Sequence, residues 1–269
     1  MRYRIGDVAR MLGISADLLR YYEKKGVVHP YKDAQNNYRY YEAWDISTLI
    51  ECLWFKNFDF GMEEIAHIVS GDDYDALSQR MEDKAEELEK SIRRQQLLLR
   101  QMRVHQRDMK RAREELGKCD VVMSHPVICY MNRHNFAYDD DPALTGLSQA
   151  WLRYMPFARR CFEIRLNDLP GQDGAGNFSW GMCLSTKYAR EFPVLVQPPV
   201  TYLPPRRCVH SIFKSAGKDA FSPIHLQFLM DFAAENGYQV CDNAYGNLLC
   251  SVLEDGAQTG YFEVWIPIE

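Results

Sequence analysis

The sequence predicts an α+β fold in three consecutive parts. The first part is mostly helical, because apolar residues recur at helical spacing from Ile5 onwards. The second is one long helix, since residues 74–116 contain neither proline nor glycine. The third alternates aromatic and β-branched residues in strand-like stretches, with two helical stretches between them. We therefore divide the chain into residues 1–71, 72–118 and 120–269.

The charge of the chain is unevenly distributed. Residues 1–41 carry eight Lys or Arg against four acids, whereas residues 120–269 carry eleven basic and sixteen acidic side chains. A cationic beginning favours phosphate, and an acidic end tolerates cationic ligands. The first residues lack a signal peptide's apolar stretch, and no later segment reaches the roughly 20 apolar residues of a membrane span. We expect a cytoplasmic protein that does not bind membranes.

The eight cysteines are widely spaced and include no Cys-x-x-Cys pair. None lies near a histidine at zinc-finger spacing. Cytosolic thiols stay reduced, and a closed metal site needs ligands that converge. We therefore predict free, mostly buried thiols, with neither a metal nor another cofactor.

The first part has helix ends and turns at the spacing of a winged helix-turn-helix. A first amphipathic helix stops at Gly13, and Ser15 then stands as the N-cap of a second helix, which Gly26 ends. Asn36 and Asn37 can form the tight turn of a hairpin, because asparagine tolerates positive φ. We predict a small wing that ends at Tyr41, followed by two further short helices.

Four motifs in this part resemble the MerR family over about residues 2–70. They read Tyr3-Arg-Ile-Gly-Asp-Val-Ala-Arg-Met-Leu-Gly-Ile-Ser, Leu19-Arg-Tyr-Tyr-Glu, Tyr38-Arg-Tyr and Lys56-Asn-Phe-Asp-Phe-Gly-Met-Glu-Glu-Ile. Two positions depart from the family pattern, since Asn37 replaces the usual glycine and Lys32 stands where arginine is common. The resemblance implies a dimer that binds between the −35 and −10 promoter elements. It also implies an activator that kinks and untwists an overlong spacer so that RNA polymerase holoenzyme can engage both elements.

The second helix and the wing supply the candidate contacts to double-stranded promoter DNA. The first turn of that helix can meet base edges, while cationic and hydroxyl side chains grip phosphates. For Tyr22, core packing is an equally good interpretation, because tyrosines are commonly half-buried. The candidates are Ser15, Ala16, Asp17, Arg20, Tyr21, Tyr22, Lys24, Tyr38, Arg39 and Lys56.

The long helix carries a seven-residue repeat. Met, Leu, Gln, Met, Met and Leu stand at positions 81, 88, 95, 102, 109 and 116, and Ala85, Ile92 and Leu99 form a second line beside them. Such a stripe cannot be buried by the helix itself, so it predicts a partner helix from a second subunit. The MerR family keeps its antiparallel dimerisation coil at this place, which implies a homodimer. The alternative is a solvated helix packed on its own domain.

The third part reads as strand, helix, strand, strand, twice in succession. The candidate strands are 126–133, 160–167, 177–185, 196–203, 207–215, 245–253 and 260–268, and the candidate helices are 141–155 and 222–236. This duplicated βαββ order and the ending Tyr261-Phe-Glu-Val-Trp-Ile-Pro-Ile resemble the GyrI-like effector-binding domain of multidrug-sensing MerR relatives. The resemblance implies a lipophilic small-molecule effector.

A carboxylate between aromatic rings is suited to a lipophilic cation, because the rings supply apolar area and cation–π attraction. Glu263 is the first choice of acid and Glu163 the second. The aromatic candidates are Tyr130, Trp151, Tyr154, Trp180, Tyr188, Tyr261 and Trp265. Each of these rings could equally belong to the core.

Two other interpretations remain open. A metal- or redox-sensing MerR regulator needs thiolates near the end of the long helix, where Cys119 stands alone. A hydrolase is conceivable because GyrI-like domains include hydrolases, and a Glu and a Tyr could serve as base and acid. No Gly-x-Ser-x-Gly, Cys/His pair or metal motif supports catalysis, so we expect no enzyme.

Overall fold

The structure is a computed structural model that describes residues 2–188, 191–192, 194–217 and 221–269. It divides into two compact units, of which the first ends at Gln95 and the second begins at Gln96. The predicted α+β class is confirmed, with helices at the N-terminal end, one long helix and a sheet-rich C-terminal region.

The helix-turn-helix consists of α1 (Ile5–Leu12) and α2 (Ala16–Lys24). Gly13 ends α1 with φ +65°, and the Ser15 side chain accepts a hydrogen bond from the backbone N–H of Leu18 at 3.1 Å. This confirms the predicted N-cap. Gly26 takes φ +72° just after α2, where a side chain would be strained.

The wing is part of a three-stranded sheet of β1 (Tyr3–Arg4), β2 (Tyr31–Lys32) and β3 (Arg39–Tyr41), in the order β1-β3-β2. Asn37 has φ +62°, the positive value that asparagine was expected to tolerate at this turn. The short strand β1 was not predicted.

Two helices complete the first unit, α3 (Ala43–Asn57) and α4 (Met62–Gly71). They pack against α1 and α2 around one apolar cluster. Leu19 and Leu49 are completely buried there, together with Tyr22 and Tyr41. The core therefore uses two tyrosines from the segments that were expected to face DNA.

The long helix α5 runs over Tyr74–Glu114, 41 residues, as the absence of proline and glycine predicts. It ends four residues before the predicted boundary at 118. Leu116 forms a β-bridge with Ile212, and the N–H of Gly117 donates to the Ile212 carbonyl at 2.8 Å. These strand-like contacts take the backbone out of the helix.

Over the described residues, the C-terminal region is a nine-stranded antiparallel sheet with two α-helices. Its elements are β4 (Asp120–Met123), β5 (Val127–His134), β6 (Ala137–Tyr138), α6 (Pro142–Leu152), β7 (Arg159–Ile164), β8 (Ser179–Ser185), β9 (Thr201–Leu203), β10 (Arg207–Ala216), α7 (Gln227–Glu235), β11 (Ala244–Glu254) and β12 (Ala257–Pro267). The strand order is β4-β10-β12-β11-β7-β8-β5-β6, with β9 on β5.

The duplicated βαββ order is visible in this sheet. The first copy gives the order β5-β8-β7 and the second gives β10-β12-β11, so that β7 and β11 meet at the centre. The predicted strand 196–203 is wrong over its first five residues, and only Thr201–Leu203 pairs. Pro198 and Pro199 have no N–H to donate to a ladder, which accounts for the loss.

The two faces of the sheet differ in what covers them. One face packs on α6 and α7 through two apolar clusters, with Phe162 and Trp151 among the buried rings. The opposite face is partly covered by the last turns of α5, where Ala112 packs with Ile212 and Tyr261. We call this second face the open face, since the rest of it borders a cavity.

Candidate functional site

The open face carries a cavity of about 480 Å³. Strands β5, β7, β8, β11 and β12 form its floor, and residues 199–206 form one wall. The lining side chains that matter below are Cys129, Cys161, Glu163, Cys183, Tyr202, Arg206, Asp242, Asn243, Tyr245, Asn247 and Trp265. A concave, largely apolar volume with few polar groups is the usual form of a small-molecule site.

Aromatic rings line one side of the cavity. Tyr245 and Trp265 are register partners on β11 and β12, and their rings stack with centroids 5.3 Å apart and planes at 18°. Tyr202 adds a third ring from β9. These rings contribute apolar surface to the lining, which suits a lipophilic ligand.

Glu163 supplies a carboxylate to this cavity. Its Oε1 accepts a hydrogen bond from Nδ2 of Asn243 at 2.6 Å, and Oδ1 of Asn243 accepts from the backbone N–H of Leu166 at 3.0 Å. Among the ion pairs of the described residues, none includes Glu163, whereas Asp242 pairs with Arg206. Glu163 is therefore the cavity carboxylate whose charge is not balanced by a neighbouring cation.

Glu263 lies on the same face but is already paired. Its carboxylate accepts from Arg111 Nη2 at 2.7 Å and from His210 Nε2 at 2.9 Å, and His210 Nδ1 lies 2.8 Å from Asp120. The side chain is buried, with 6% of the residue exposed. Burial alone would raise the pKa of Glu263, but the His210 hydrogen bond and the Arg111 charge outweigh it and lower the pKa.

The cavity gathers only part of the predicted ligand set. Glu163 and Trp265 line it. Tyr130 borders it along β5, but its ring packs on Trp151 and its hydroxyl donates to Ser148 on α6, so it belongs to the core. Six other candidates lie elsewhere: Trp151, Tyr154 and Tyr188 pack around α6, Trp180 packs in the core beside α7, Tyr261 donates to Glu254, and Glu263 pairs with Arg111. The prediction that these six residues bind the ligand in this cavity is therefore wrong. Side chains of a strand alternate between faces, so Trp180 points away from the face on which Cys183 lies.

Several lining residues were missed by the sequence interpretation. Tyr245 stands opposite both Glu163 on β7 and Trp265 on β12 in the strand register. Oδ1 of Asn247 is buried and has no hydrogen-bond partner among the described residues, although it borders the cavity. A buried acceptor without a donor is costly, and a ligand donor would relieve that cost. Alternation in β11 was the available signal for both residues.

Metal ligands do not cluster in the described part of the chain. No group of three or more His, Cys, Asp or Glu side chains there could hold a metal ion. All eight cysteines are free. Burial raises the pKa of the Cys119 thiol, which follows the end of α5 in the sequence.

The candidate DNA surface lies along α2 and the wing. Arg20 and Lys24 are exposed one turn apart, and Arg20 pairs with Asp17 at 2.5 Å. Ser15, Ala16 and Tyr21 flank them, while Tyr38 on the wing and Lys56 on α3 are also exposed. Arg39 Nε donates to Glu23 at 2.5 Å, which joins the wing to α2.

Tyr22 is the one predicted DNA contact in this group that the structure places in the core. It is 0% exposed, and its hydroxyl lies 3.9 Å from the Met62 sulfur. Burial raises its pKa to about 12. Tyr22 shares the inner side of α2 with Leu19, three residues earlier, so it belongs to the core and does not contact DNA directly.

Residues 3–72 match the family model of the MerR HTH family regulatory proteins. An HTH-type transcriptional regulator of Synechocystis sp. is 39% identical over 66 residues, 24% of this chain and 47% of that protein. The ZntR homolog of Haemophilus influenzae, also an HTH-type transcriptional regulator, is 29% identical over 34% of this chain and 65% of that protein. The chain thus spans about half to two thirds of these MerR-like relatives.

Among solved structures, EcmrR in a cryo-EM structure of an EcmrR–DNA complex aligns over 99% of both chains, at 16% identity and a TM-score of 0.38. A TM-score of that size does not establish a common arrangement. Over the described residues, no helix combines the length and the apolarity that crossing a bilayer requires.

Proposed function

We propose that this chain is a MerR-type transcription regulator that binds promoter DNA as a homodimer and responds to a lipophilic cation in the cavity. The match of residues 3–72 to the MerR family carries the DNA-binding part. The cavity with an unbalanced Glu163 among aromatic rings supports the ligand part. The proposal assigns no catalytic residue.

The DNA-binding part rests on the exposed cations of α2. Arg20 and Lys24 lie four residues apart and therefore share one helix face. With α2 in the major groove, both can contact the phosphates of one strand while Ser15, Ala16 and Asp17 face base edges. Each phosphate contact releases counterions, so the affinity falls steeply with salt.

A salt titration tests this interface. Duplexes selected from a randomised library by the full-length protein serve as the probe, and fluorescence anisotropy gives the affinity at several salt concentrations. We expect Arg20→Ala and Lys24→Ala each to reduce the slope of log affinity against log salt by about 0.9. Lys90→Ala is the matched control, because Lys90 is exposed on α5 and paired with Glu86. Slopes equal to the control would remove α2 from the interface.

The dimer rests on an exposed apolar stripe of α5. Its members are Leu88, Ile92, Leu99, Met102 and Met109, which are between 42% and 62% exposed in the single chain. A stripe at heptad spacing is suited to a partner helix, and the family resemblance suggests the antiparallel arrangement. We expect Leu99→Glu to produce monomers in sedimentation equilibrium, whereas a wild-type chain that is monomeric would refute the dimer.

Activation is proposed to follow the family mechanism, with RNA polymerase holoenzyme as the partner and the cytoplasm as the compartment. A dimer bound between the −35 and −10 elements would bend and untwist the spacer, at a cost that DNA contacts repay. In vitro transcription from promoters with an overlong spacer and with a spacer shortened by two base pairs tests this. Stimulation of both templates to the same extent would exclude a spacer mechanism.

The proposed cation site predicts that Glu163, and not Glu263, contributes to ligand affinity. A phosphonium charge about 5 Å from the Glu163 carboxylate would gain about 3 kcal/mol of attraction at an effective dielectric constant of about 20. We expect Glu163→Gln to weaken tetraphenylphosphonium binding at least about tenfold while hardly changing triphenylphosphine oxide binding. Glu263→Gln is the matched control, because Arg111 and His210 already neutralise that carboxylate. Equal losses of both ligands in Glu163→Gln would make Glu163 structural.

A further inference from the structure

The floor of the cavity carries three thiols on three adjacent strands. Cys129 lies on β5, Cys183 on β8 and Cys161 on β7, and all three line the cavity. They form one buried cluster together with the half-buried Met131 and Leu203. The ligand side of the floor is therefore rich in sulfur.

The strand register defines how these thiols pair. Cys129 and Cys183 are direct partners, and Cys161 is one diagonal step from Cys183, since Arg159 pairs with Cys183 and Cys161 pairs with Gly181. Cys183 is on the middle strand. The two outer thiols are separated by two strand spacings, about 9.5 Å. Every close pair of thiols therefore includes Cys183.

The three thiols also differ in acidity. The hydrogen bond from Cys161 lowers the pKa of Cys183, and the charge of Arg159 acts in the same direction. Burial raises the pKa of Cys161 and raises that of Cys129 to about 12. The thiolate is the nucleophile, so these shifts make Cys183, the thiol on the middle strand, the expected point of first attack.

We propose that Cys183 and Cys161 form a dithiol site for a trivalent organoarsenical, a soft electrophile that carries an apolar group. In the reaction R–As=O + 2 Cys–SH → R–As(S–Cys)2 + H2O, two As–S bonds form. The arsenic oxygen leaves as water with the two thiol protons, and no atom changes oxidation state. The apolar group R would pack against Tyr245 and Trp265, whose rings border the same cavity.

Two thiols close enough to bind one atom favour a trivalent organoarsenical over a metal ion as the ligand. A closed soft-metal site needs three or four ligands, and the described residues contain no such group. An arsenical with one organic substituent needs only two sulfurs. The inference uses the cavity of the proposed function but does not require a cation or DNA.

Phenylarsine oxide is the probe, and intact-mass spectrometry of the full-length protein is the readout. We expect one phenylarsenic group per chain, released by 2,3-dimercaptopropanol and not by an equal thiol concentration of 2-mercaptoethanol. Cys183→Ser removes the thiol common to both pairs and should weaken the adduct about 100-fold or more, because the second bond is intramolecular. Cys161→Ser and Cys129→Ser distinguish the assigned pair from the pair of Cys129 and Cys183: loss of the adduct in Cys161→Ser and its retention in Cys129→Ser support the assignment, and the reverse would overturn it. Cys250→Ser, outside the cavity, should keep the adduct.

Labelling of the wild-type protein makes the result independent of how the variants fold. Phenylarsine oxide should protect Cys161 and Cys183 from N-ethylmaleimide, as peptide masses report. Protection of other cysteines, or an adduct that survives in both Cys183→Ser and Cys183→Ala, would overturn the inference. Tetraphenylphosphonium binding is measured separately, so a protein that binds phenylarsine oxide and no cation would refute the proposed effector alone.

Discussion

Arg111 connects the last turns of α5 to the sheet, and its removal gives the sharpest test of the open face. Arg111→Met keeps the length of the aliphatic stem and deletes the guanidinium that donates to Glu263 at 2.7 Å. His210 would still donate to Glu263 at 2.9 Å. The variant therefore leaves a buried carboxylate with one cationic partner where there were two.

The cost follows from the burial of each group. A hydrogen bond to a charged group contributes about 1.5–3 kcal/mol, and breaking a fully buried pair costs about 3–5 kcal/mol. The Arg111 side chain is 36% exposed, so water screens part of the interaction, and His210 keeps some compensation. We expect Arg111→Met to lower the free energy of unfolding by about 1.5–2.5 kcal/mol.

Urea unfolding of the full-length protein, followed by tryptophan fluorescence, measures this change. Lys110→Met is the matched control, because it removes a neighbouring cation whose pair with Glu114 spans 3.7 Å between largely exposed side chains. It should cost at most about 0.5 kcal/mol. A double-mutant cycle with Glu263→Gln isolates the pair. Equal losses in the two methionine variants, with a coupling energy near zero, would refute the reasoning.

Three further outcomes are expected. Burial alone would lower the pKa of His210, but its hydrogen bonds to Glu263 and Asp120 raise the pKa above its usual value. Protonated His210 therefore stabilises the folded state fully below about pH 6.5, and this stabilisation is lost as the pH rises through the folded-state pKa. The melting temperature should therefore fall over that rise in the wild type, and His210→Gln should abolish this dependence. Gly246→Ala should lower the melting temperature sharply or prevent folding, because the new Cβ would meet the Glu263 carbonyl oxygen at 2.3 Å; an unchanged melting temperature would contradict the packing. Ser15→Ala should cost about 1 kcal/mol of unfolding free energy, whereas no loss would mean that the cap is not needed.

Local signals made the first two parts of the fold predictable. Ser15, Gly13 and Gly26 mark helix ends through their own backbone and side-chain chemistry, and the stretch without proline and glycine is sufficient for α5. Strand positions were also predictable from alternation. The predicted strand 196–203 was too long at residues 196–200, because of the two prolines that precede β9. The predicted strand 160–167 was also too long, since β7 ends at Ile164, and α7 begins at Gln227, later than the predicted helix 222–236.

The composition of the cavity was less predictable, because it depends on pairing between distant strands. Tyr245 joins the site through its register with Glu163, 82 positions earlier in the sequence numbering. Glu163 and Glu263 both lie on alternating strands, and the sequence favoured Glu263 over Glu163. Only the fold brings Arg111 to Glu263 and leaves Glu163 with an amide partner. A pattern of local hydrophobicity contains no information on that difference.

The α5 helix illustrates a second limit of periodicity. Besides its exposed apolar stripe, it has a buried stripe whose members are partly polar: Gln101 bonds to the Tyr188 hydroxyl at 2.5 Å, and Asp108 pairs with Arg159 at 2.7 Å. Buried polar side chains need partners, and these partners come from the C-terminal sheet region, so a hydrophobic repeat could not reveal them. The exposed Met102 and Met109 each follow a buried residue by one position, about 100° around the helix. A partner helix on the exposed stripe would therefore leave the sheet contacts of α5 intact.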